Sequence, residues 1–430
     1  SNFKFIMYKK IVFPNKTRLI LVPSKHTKAT TVFFLYGVGS RYESREINGA
    51  SHFLEHLMFK GTKKRPTTLD ISRELDRVGA EFNAMTSKDY TGYYVKINHE
   101  KQDLAIDVLS DMLLNSKFEP VEINRERGVI VEEINMYHDN PLMSIEGVLE
   151  SMVFKGNTLG WEIAGPASVI KKVSRKQLLD YKNKYYRPDN LVIAVAGRAN
   201  SKIQKVLEEK FIKKSKKGKL EELIKFKPFT VKQKQPQVKV QFRDTKQVQL
   251  ALGFPAYGYN SPKTYAMHLL SIILGGNMSS RLFISVRERR GLCYFVRCYP
   301  SYYQDTGNMY IQSGLDVSRL DEAIQVILGE LRKIKNKGVT AKELSDAKEF
   351  LRGKIVLTLE DSSSMAEYYA KQEILTGKTM SPEVKLKKYQ AVTEKEVQNL
   401  AKELFVKEKL NLALIGPFKS DKKFYKQIKL

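Results

Sequence analysis

The stretch His52-Phe53-Leu54-Glu55-His56 reads H-x-x-E-H and lies in a segment expected to be helical, 50–59. On a helix, residues at i, i+3 and i+4 share one face, so His52, Glu55 and His56 point at one spot. Two imidazoles four residues apart suit a tetrahedral Zn²⁺, and a carboxylate beside them can act on a metal-bound water. The plain alternative is an amphipathic helix with two solvated histidines, and a motif this short does not decide between them.

Two histidines leave such an ion short of ligands. The run Asn124-Arg125-Glu126-Arg127-Gly128-Val129-Ile130-Val131-Glu132-Glu133 offers carboxylates. Glu126 and Glu133 are two helical turns apart and share a face, whereas Glu132 is rotated off it. One of the pair can bind the metal while the other orients a histidine or the water. A solvated acidic face is the alternative here.

The chain of 430 residues is too long for one ordinary core, and two domains are expected, 1–219 and 220–430. Its 42% hydrophobic content points to globular folding rather than disorder. No apolar run approaches the ~20 residues that span a bilayer, so no membrane association is expected. The start, Ser1-Asn2-Phe3-Lys4-Phe5-Ile6-Met7, lacks the long apolar core of a secretory signal. The net charge of +27 is large, yet lysines are spread over the whole length and no nucleic-acid-binding motif accompanies them. A solvated basic surface is the reading, with no nucleic-acid partner. Cys293 and Cys298 stand five apart in a strand-like stretch, on opposite faces by alternation. No disulfide is expected, and a reducing, cytoplasmic compartment is the simpler assumption.

Element order repeats. Strands at 17–22 and 29–36, helices at 50–59 and 68–78, a hairpin of 80–86 and 90–98, helices at 102–115 and 121–137, and a strand at 191–196 make the first half. Ser174 and Gln177 form a capping box that opens one more helix. Strands at 238–242 and 248–253, helices at 265–274 and 279–289, a hairpin of 292–299 and 307–313, long helices at 321–335 and 340–357, and a strand at 410–415 make the second. The repeat implies a duplicated α+β domain, each half an antiparallel sheet backed by helices. The lysine-rich stretch 213–236 reads as the connector.

The quoted segments resemble the zinc peptidase family of pitrilysin, insulin-degrading enzyme and mitochondrial processing peptidase, the inverzincins. The resemblance rests on Gly49–Thr62, on Gly79–Thr86 (G-A-E-F-N-A-M-T), on Glu133 standing 77 positions after His56, on Tyr185–Leu191 and on Met278–Tyr294. These lie in order along nearly the whole chain, at the two-domain length of the processing-peptidase branch. It implies two homologous domains facing each other across a cavity. His52, His56 and Glu133 would be the ligands of one Zn²⁺ per chain, Glu55 the general base, and Glu126 a carboxylate supporting the metal site. Arg287 and Tyr294 match a pair that stabilises the oxyanion, and Asn83 and Ala84 lie on the edge strand that takes an extended peptide. The activity implied is cleavage of unfolded peptides, with a homodimer or a sister subunit as partner. One departure is Gly156-Asn157-Thr158-Leu159-Gly160, where related chains carry His-Pro before Leu-Gly.

Two other classes compete. A non-catalytic homologue, like the core proteins of the respiratory cytochrome complex, keeps the fold while metal residues drift; here all five metal-site positions and the Arg287/Tyr294 pair are intact. An S-ribosylhomocysteine-cleaving lyase also carries H-x-x-E-H, but it is far shorter and depends on a catalytic cysteine.

Overall fold

The computed structural model describes residues 8–215 and 225–430. The start Ser1–Met7, the middle of the lysine-rich connector and the expected 219/220 boundary lie outside the described residues. The chain forms two compact units, each assembled from three separate segments.

The first unit draws on Ser1–Ile134, Trp161–Lys227 and Lys354–Val384. Its sheet runs β1-β2-β6-β3-β5-β4, with β1 (Lys9–Val12), β2 (Arg18–Pro23), β3 (Ala29–Tyr36), β4 (Glu81–Thr86), β5 (Thr91–Asn98) and β6 (Leu191–Gly197). Strand β6 is buried along its whole length, and its unbroken apolar run shows why: both faces of the sheet are covered. On one face Val32, Phe34, Tyr93, Val95, Ile193 and Val195 pack with α1 (Ala50–Met58), α3 (Gln102–Asn115) and the helix Arg175–Tyr185. On the other, Ile20, Phe33, Leu35, Val192 and Ala194 pack with Met365, Ala366, Tyr369 and Ala370 of the helix Ser362–Thr376. A hydroxyl pair, Thr31 to Ser362 at 2.8 Å, and the ion pair Lys96–Asp361, also 2.8 Å, pin that helix down.

The second unit draws on Asn135–Gly160, Pro228–Gly353 and Lys385–Leu430. Its sheet runs β7-β11-β8-β10-β9, with β7 (Gln237–Phe242), β8 (Gln247–Ala256), β9 (Cys293–Tyr302), β10 (Gly307–Asp316) and β11 (Asn411–Gly416). Helix α5 (Pro141–Val153) covers it through Ile145, Leu149, Met152 and Val153, set against Ala251, Tyr310, Ala413 and Ile415. On the same helix Glu150 accepts from the Tyr310 hydroxyl at 2.8 Å and from that of Tyr303.

Apart from β1, the two strand orders are the same pattern, and each sheet contains one parallel pair, β2 with β6 and β7 with β11. The duplicated α+β architecture is therefore present, though the sheets are mixed rather than wholly antiparallel. The two compact units do not part at a single point of the chain. Helix α5 belongs to the second unit and Ser362–Thr376 to the first, so each half of the chain lends a helix to the other half's sheet. The cysteines are free, for a reason other than opposite faces. The β9–β10 register passes from Phe295↔Gly314 to Cys293↔Leu315 and skips Tyr294. Cys293 and Cys298 thus sit opposite Leu315 and Ile311, four apart and on one face, too far along the strand to join.

Candidate metal centre

Helix α1 carries His52, Glu55 and His56, and its buried side, with Phe53, Leu54 and Leu57, locks it to the first sheet. Gly61, at φ +109°, takes the turn that leaves the helix; a β-carbon there would meet the Pro66 carbonyl oxygen at 2.3 Å. Helix α2 (Thr68–Asp76) follows, opened by a capping box between Thr67 and Asp70. Helix α4 (Pro120–Asp139) buries Ile123, Glu126, Ile130 and Ile134, the i, i+3, i+7, i+11 stripe of an inward face. Glu126 is therefore held at 2% exposure inside an apolar stripe, Glu133 stands at its margin, and Glu132 is exposed.

The two helices bring three donors to one point. His52 Nε2 and His56 Nε2 each lie 3.5 Å from the same Glu133 oxygen, Oε2. These are the one group of three or more metal-ligating side chains among the described residues whose donor atoms all fall within 4.8 Å of one another. Two imidazole nitrogens and one carboxylate oxygen are the N₂O set that catalytic zinc sites use, three protein ligands with a position left open. The side chains present thus fit the ion. His56 is also held from behind: its Nδ1 meets Glu126 Oε2 at 3.0 Å, while Glu126 Oε1 takes the Lys60 ammonium at 2.7 Å. That fixes the ring with Nε2 toward the centre. His52 Nδ1 is buried and has no such partner among the described residues.

Electrostatics separate the two histidines. Burial, with the neighbouring His56, lowers His52 to about 4, so its imidazole is neutral. Burial works against a proton on His56 as well, but hydrogen bonds to Glu126 and Glu133 more than offset it and raise His56 to about 9. A metal ion would displace that proton. Glu133 is lowered by its bond to His56, and Glu126, despite burial, by His56 and Lys60. Glu55 goes the other way: burial raises it, while the Thr86 hydroxyl, which donates to its Oε2, partly offsets the shift. A carboxyl raised in this way beside the candidate metal ligands is suited to take up and hand on a proton.

Asn83 and Ala84 lie on β4, which among the described residues is an edge strand paired with β5 alone. Asn83 Oδ1 accepts from the Ala84 N–H at 2.8 Å. Thr86, at the end of the same strand, is the residue bonded to Glu55, so the strand edge and the Glu55 carboxyl are joined directly. Arg287 and Tyr294 belong to the second unit. Arg287 closes a π-helical turn (Phe283–Glu288), with its guanidinium 5.3 Å from the Tyr294 ring centroid and 4.8 Å from that of Phe283. Tyr294 is the residue skipped in the β9–β10 register, and it is 80% exposed. A skipped residue bends the strand and re-aims a side chain, which is how a tyrosine in a strand comes to stand in solvent.

Lys60 and Thr86 are partners that the sequence reading did not single out. The signal for Lys60 was its place one turn beyond His56 on the face that carries the motif. Nothing local marks Thr86, because its link to Glu55 spans 31 residues and forms only in the folded sheet.

Comparison with known proteins gives the family. Residues 18–167 match the family described as "Insulinase (Peptidase family M16)", and residues 172–351 match "Peptidase M16 inactive domain". An uncharacterized zinc protease of Bacillus subtilis, YmxG, is 36% identical over 411 residues, covering 96% of this chain and 98% of the relative. An uncharacterized zinc protease of Streptomyces coelicolor is 33% identical over 417 residues, covering 96% and 90%. Among solved structures, a protease from Helicobacter pylori shares the fold at a TM-score of 0.89 and 22% identity, covering 96% of this chain and all of the other. A Pseudomonas fluorescens structure described as a peptidase M16 inactive domain does so at 0.88 and 18%, covering 96% and 99%.

Proposed function

The chain belongs to the M16 insulinase family of peptidases, and from its converging side chains we propose that it is a zinc-dependent endopeptidase acting on extended peptides. The observation that carries this reading is the meeting of His52 Nε2 and His56 Nε2 on one oxygen of Glu133, with Glu55 on the same helix. His52, His56 and Glu133 would hold the ion. Zinc there would polarise the scissile carbonyl and lower the pKa of water toward ~7. Glu55 takes the proton of the attacking water and passes it to the leaving amine. Thr86 holds Glu55, and Glu126 with Lys60 holds His56, so neither group has to be ordered as the reaction starts.

The peptide is assigned to the edge of β4. Main-chain pairing there gives affinity with little sequence demand. A peptide that bonds to the Ala84 N–H would displace the Asn83 side chain, which then becomes free to bind it. Arg287 and Tyr294 are assigned the role of oxyanion donors. Both carry N–H or O–H groups, they are neighbours, and the strand irregularity turns Tyr294 outward. We propose no nucleic-acid or membrane partner. No helix among the described residues is long and apolar enough to cross a membrane. A homodimer or a pairing with a sister subunit is the assembly proposed.

The test is incubation of the purified chain with a mixed peptide library, with and without a chelator, and reading of the cuts by mass spectrometry. Cuts that vanish with chelator and return with zinc support the reading. A library left intact under all conditions, by protein that has taken up zinc, would instead favour a non-catalytic homologue.

A further inference from the structure

Resting on the peptidase reading above, we infer that Glu43 is a positioning residue for the metal centre: its buried carboxylate holds the first turn of α1 and thereby aims His52. Glu43 is 4% exposed and lies outside the helix. One of its oxygens accepts from the Gly49 N–H at 2.7 Å and from the Asn48 amide at 3.0 Å, and the other accepts from the Ser51 N–H at 2.7 Å. Ser51 directly precedes His52. The Ser51 hydroxyl is itself bonded to the Tyr181 hydroxyl at 2.9 Å, and that hydroxyl donates to the Gly39 carbonyl at 3.1 Å. The backbone on the N-terminal side of the first ligand is thus gripped through both its main chain and its side chain.

Packing explains why the cap comes from six residues away. A helix start is ordinarily satisfied by Ser, Thr, Asp or Asn at the N-cap. Here the N-cap is Gly49, with no side chain to offer and φ +101°. A β-carbon on it would meet the Ala164 carbonyl oxygen at 2.4 Å, and one on Gly165 would meet the Asn48 carbonyl oxygen at 2.1 Å. The two backbones pass so closely that only glycine fits, and the acceptor must be imported. A carboxylate also suits the positive end of the helix better than a hydroxyl does. Its burial is costly, since among the described residues no Lys or Arg is one of its hydrogen-bond partners.

Glu43→Gln keeps the shape but places an amide donor against one of the two backbone N–H groups. The experiment measures zinc affinity by competition with a chromophoric chelator, together with the visible spectrum of the cobalt-loaded chain. Leu109→Ala, a core truncation in α3, serves as the destabilised control. Glu43→Gln is expected to weaken zinc binding about 10- to 100-fold and to alter the cobalt bands, whereas Leu109→Ala at equal or greater loss of melting temperature leaves both unchanged. Should Glu43→Gln not yield soluble protein, Glu43→Asp, which withdraws the charge by one methylene, is read by the same criteria with a smaller shift. Wild-type zinc affinity in the Glu43 variant, or equal loss in the control, overturns the inference and leaves the peptidase reading standing. A wild-type chain that takes up neither metal defeats both.

Discussion

Helix α1 and the helix Thr264–Ser271 hold equivalent places, each following the strand that lies third in its sheet once β1 is set aside. Both carry histidine, and the histidines have opposite company. His52 and His56 face Glu133, with Glu126 and Lys60 behind. His268 bonds through Nδ1 to the Tyr389 hydroxyl at 3.0 Å, and burial together with Lys385 lowers it to about 4. Its neighbours include a phenol and a lysine, and among the described residues no metal-ligating set forms around it. A duplicated fold therefore leaves the chemistry to the partners that tertiary structure delivers. In the first unit α4 delivers carboxylates, whereas in the second a strand irregularity delivers a tyrosine.

The comparison breaks most visibly if the acid-base group is removed. Glu55→Gln should lower peptide turnover by about 10²–10⁴-fold while zinc content stays at the wild-type level, and His268→Gln should leave both unchanged; steady-state kinetics and elemental analysis decide. Next in size, Arg287→Ala should cost about 10²–10³-fold in kcat with zinc content intact, and parallel loss of both would mean a structural role instead. Glu126→Gln should weaken zinc binding about 10- to 100-fold by freeing the His56 ring, as read by chelator competition. Lys60→Met, one bond further out, should do the same to a smaller extent, below about 10-fold.

The smallest expected effect is on pH and stability. Burial raises Glu43 to about 7, although Asn48, Ser51 and Gly49 work against the rise. The unfolded value is near 4.3, so between about pH 4.3 and 7 the folded state holds the extra proton. This group's contribution is full below that window and is lost as pH rises through it. The melting temperature of the wild type relative to Glu43→Gln should therefore fall by a few degrees across the window, and a flat difference would show that Glu43 is already ionised at its lower end.

The spacing of the metal-directed residues was legible because it is local, whereas the choice of Glu133 as the carboxylate that meets the two histidines rested on the family resemblance. The spacing of His52, Glu55 and His56 puts them on one face of any helix, and Glu126 and Glu133 stand two turns apart on another. The capping box at Ser174 marked a helix start for the same reason. What escaped is non-local. Pro141–Val153 has an Asn140 cap, a Pro at its first turn and an Ile145, Leu149, Met152 stripe, yet nothing within it or within Ser362–Thr376 says which sheet the helix will cover. Small residues such as Ala366 and Ala370 make the second helix's inward face without a strong apolar stripe. The skipped residue at Tyr294 exposes its side chain and reverses the face assignment of Cys298 relative to Cys293, and a single-residue shift in register leaves no trace in composition. Thr86 meets the Glu55 side chain only once the sheet brings residues 31 apart together, and Glu43 meets the Gly49 and Ser51 N–H groups only once the chain between them has turned back.

Anomalous diffraction at the zinc absorption edge, from crystals of the chain grown with zinc, tests the central claim most directly. One peak per chain bound by His52 Nε2, His56 Nε2 and Glu133 Oε2 is the predicted result. A peak elsewhere, or Glu133 turned into solvent away from both imidazoles, would contradict it.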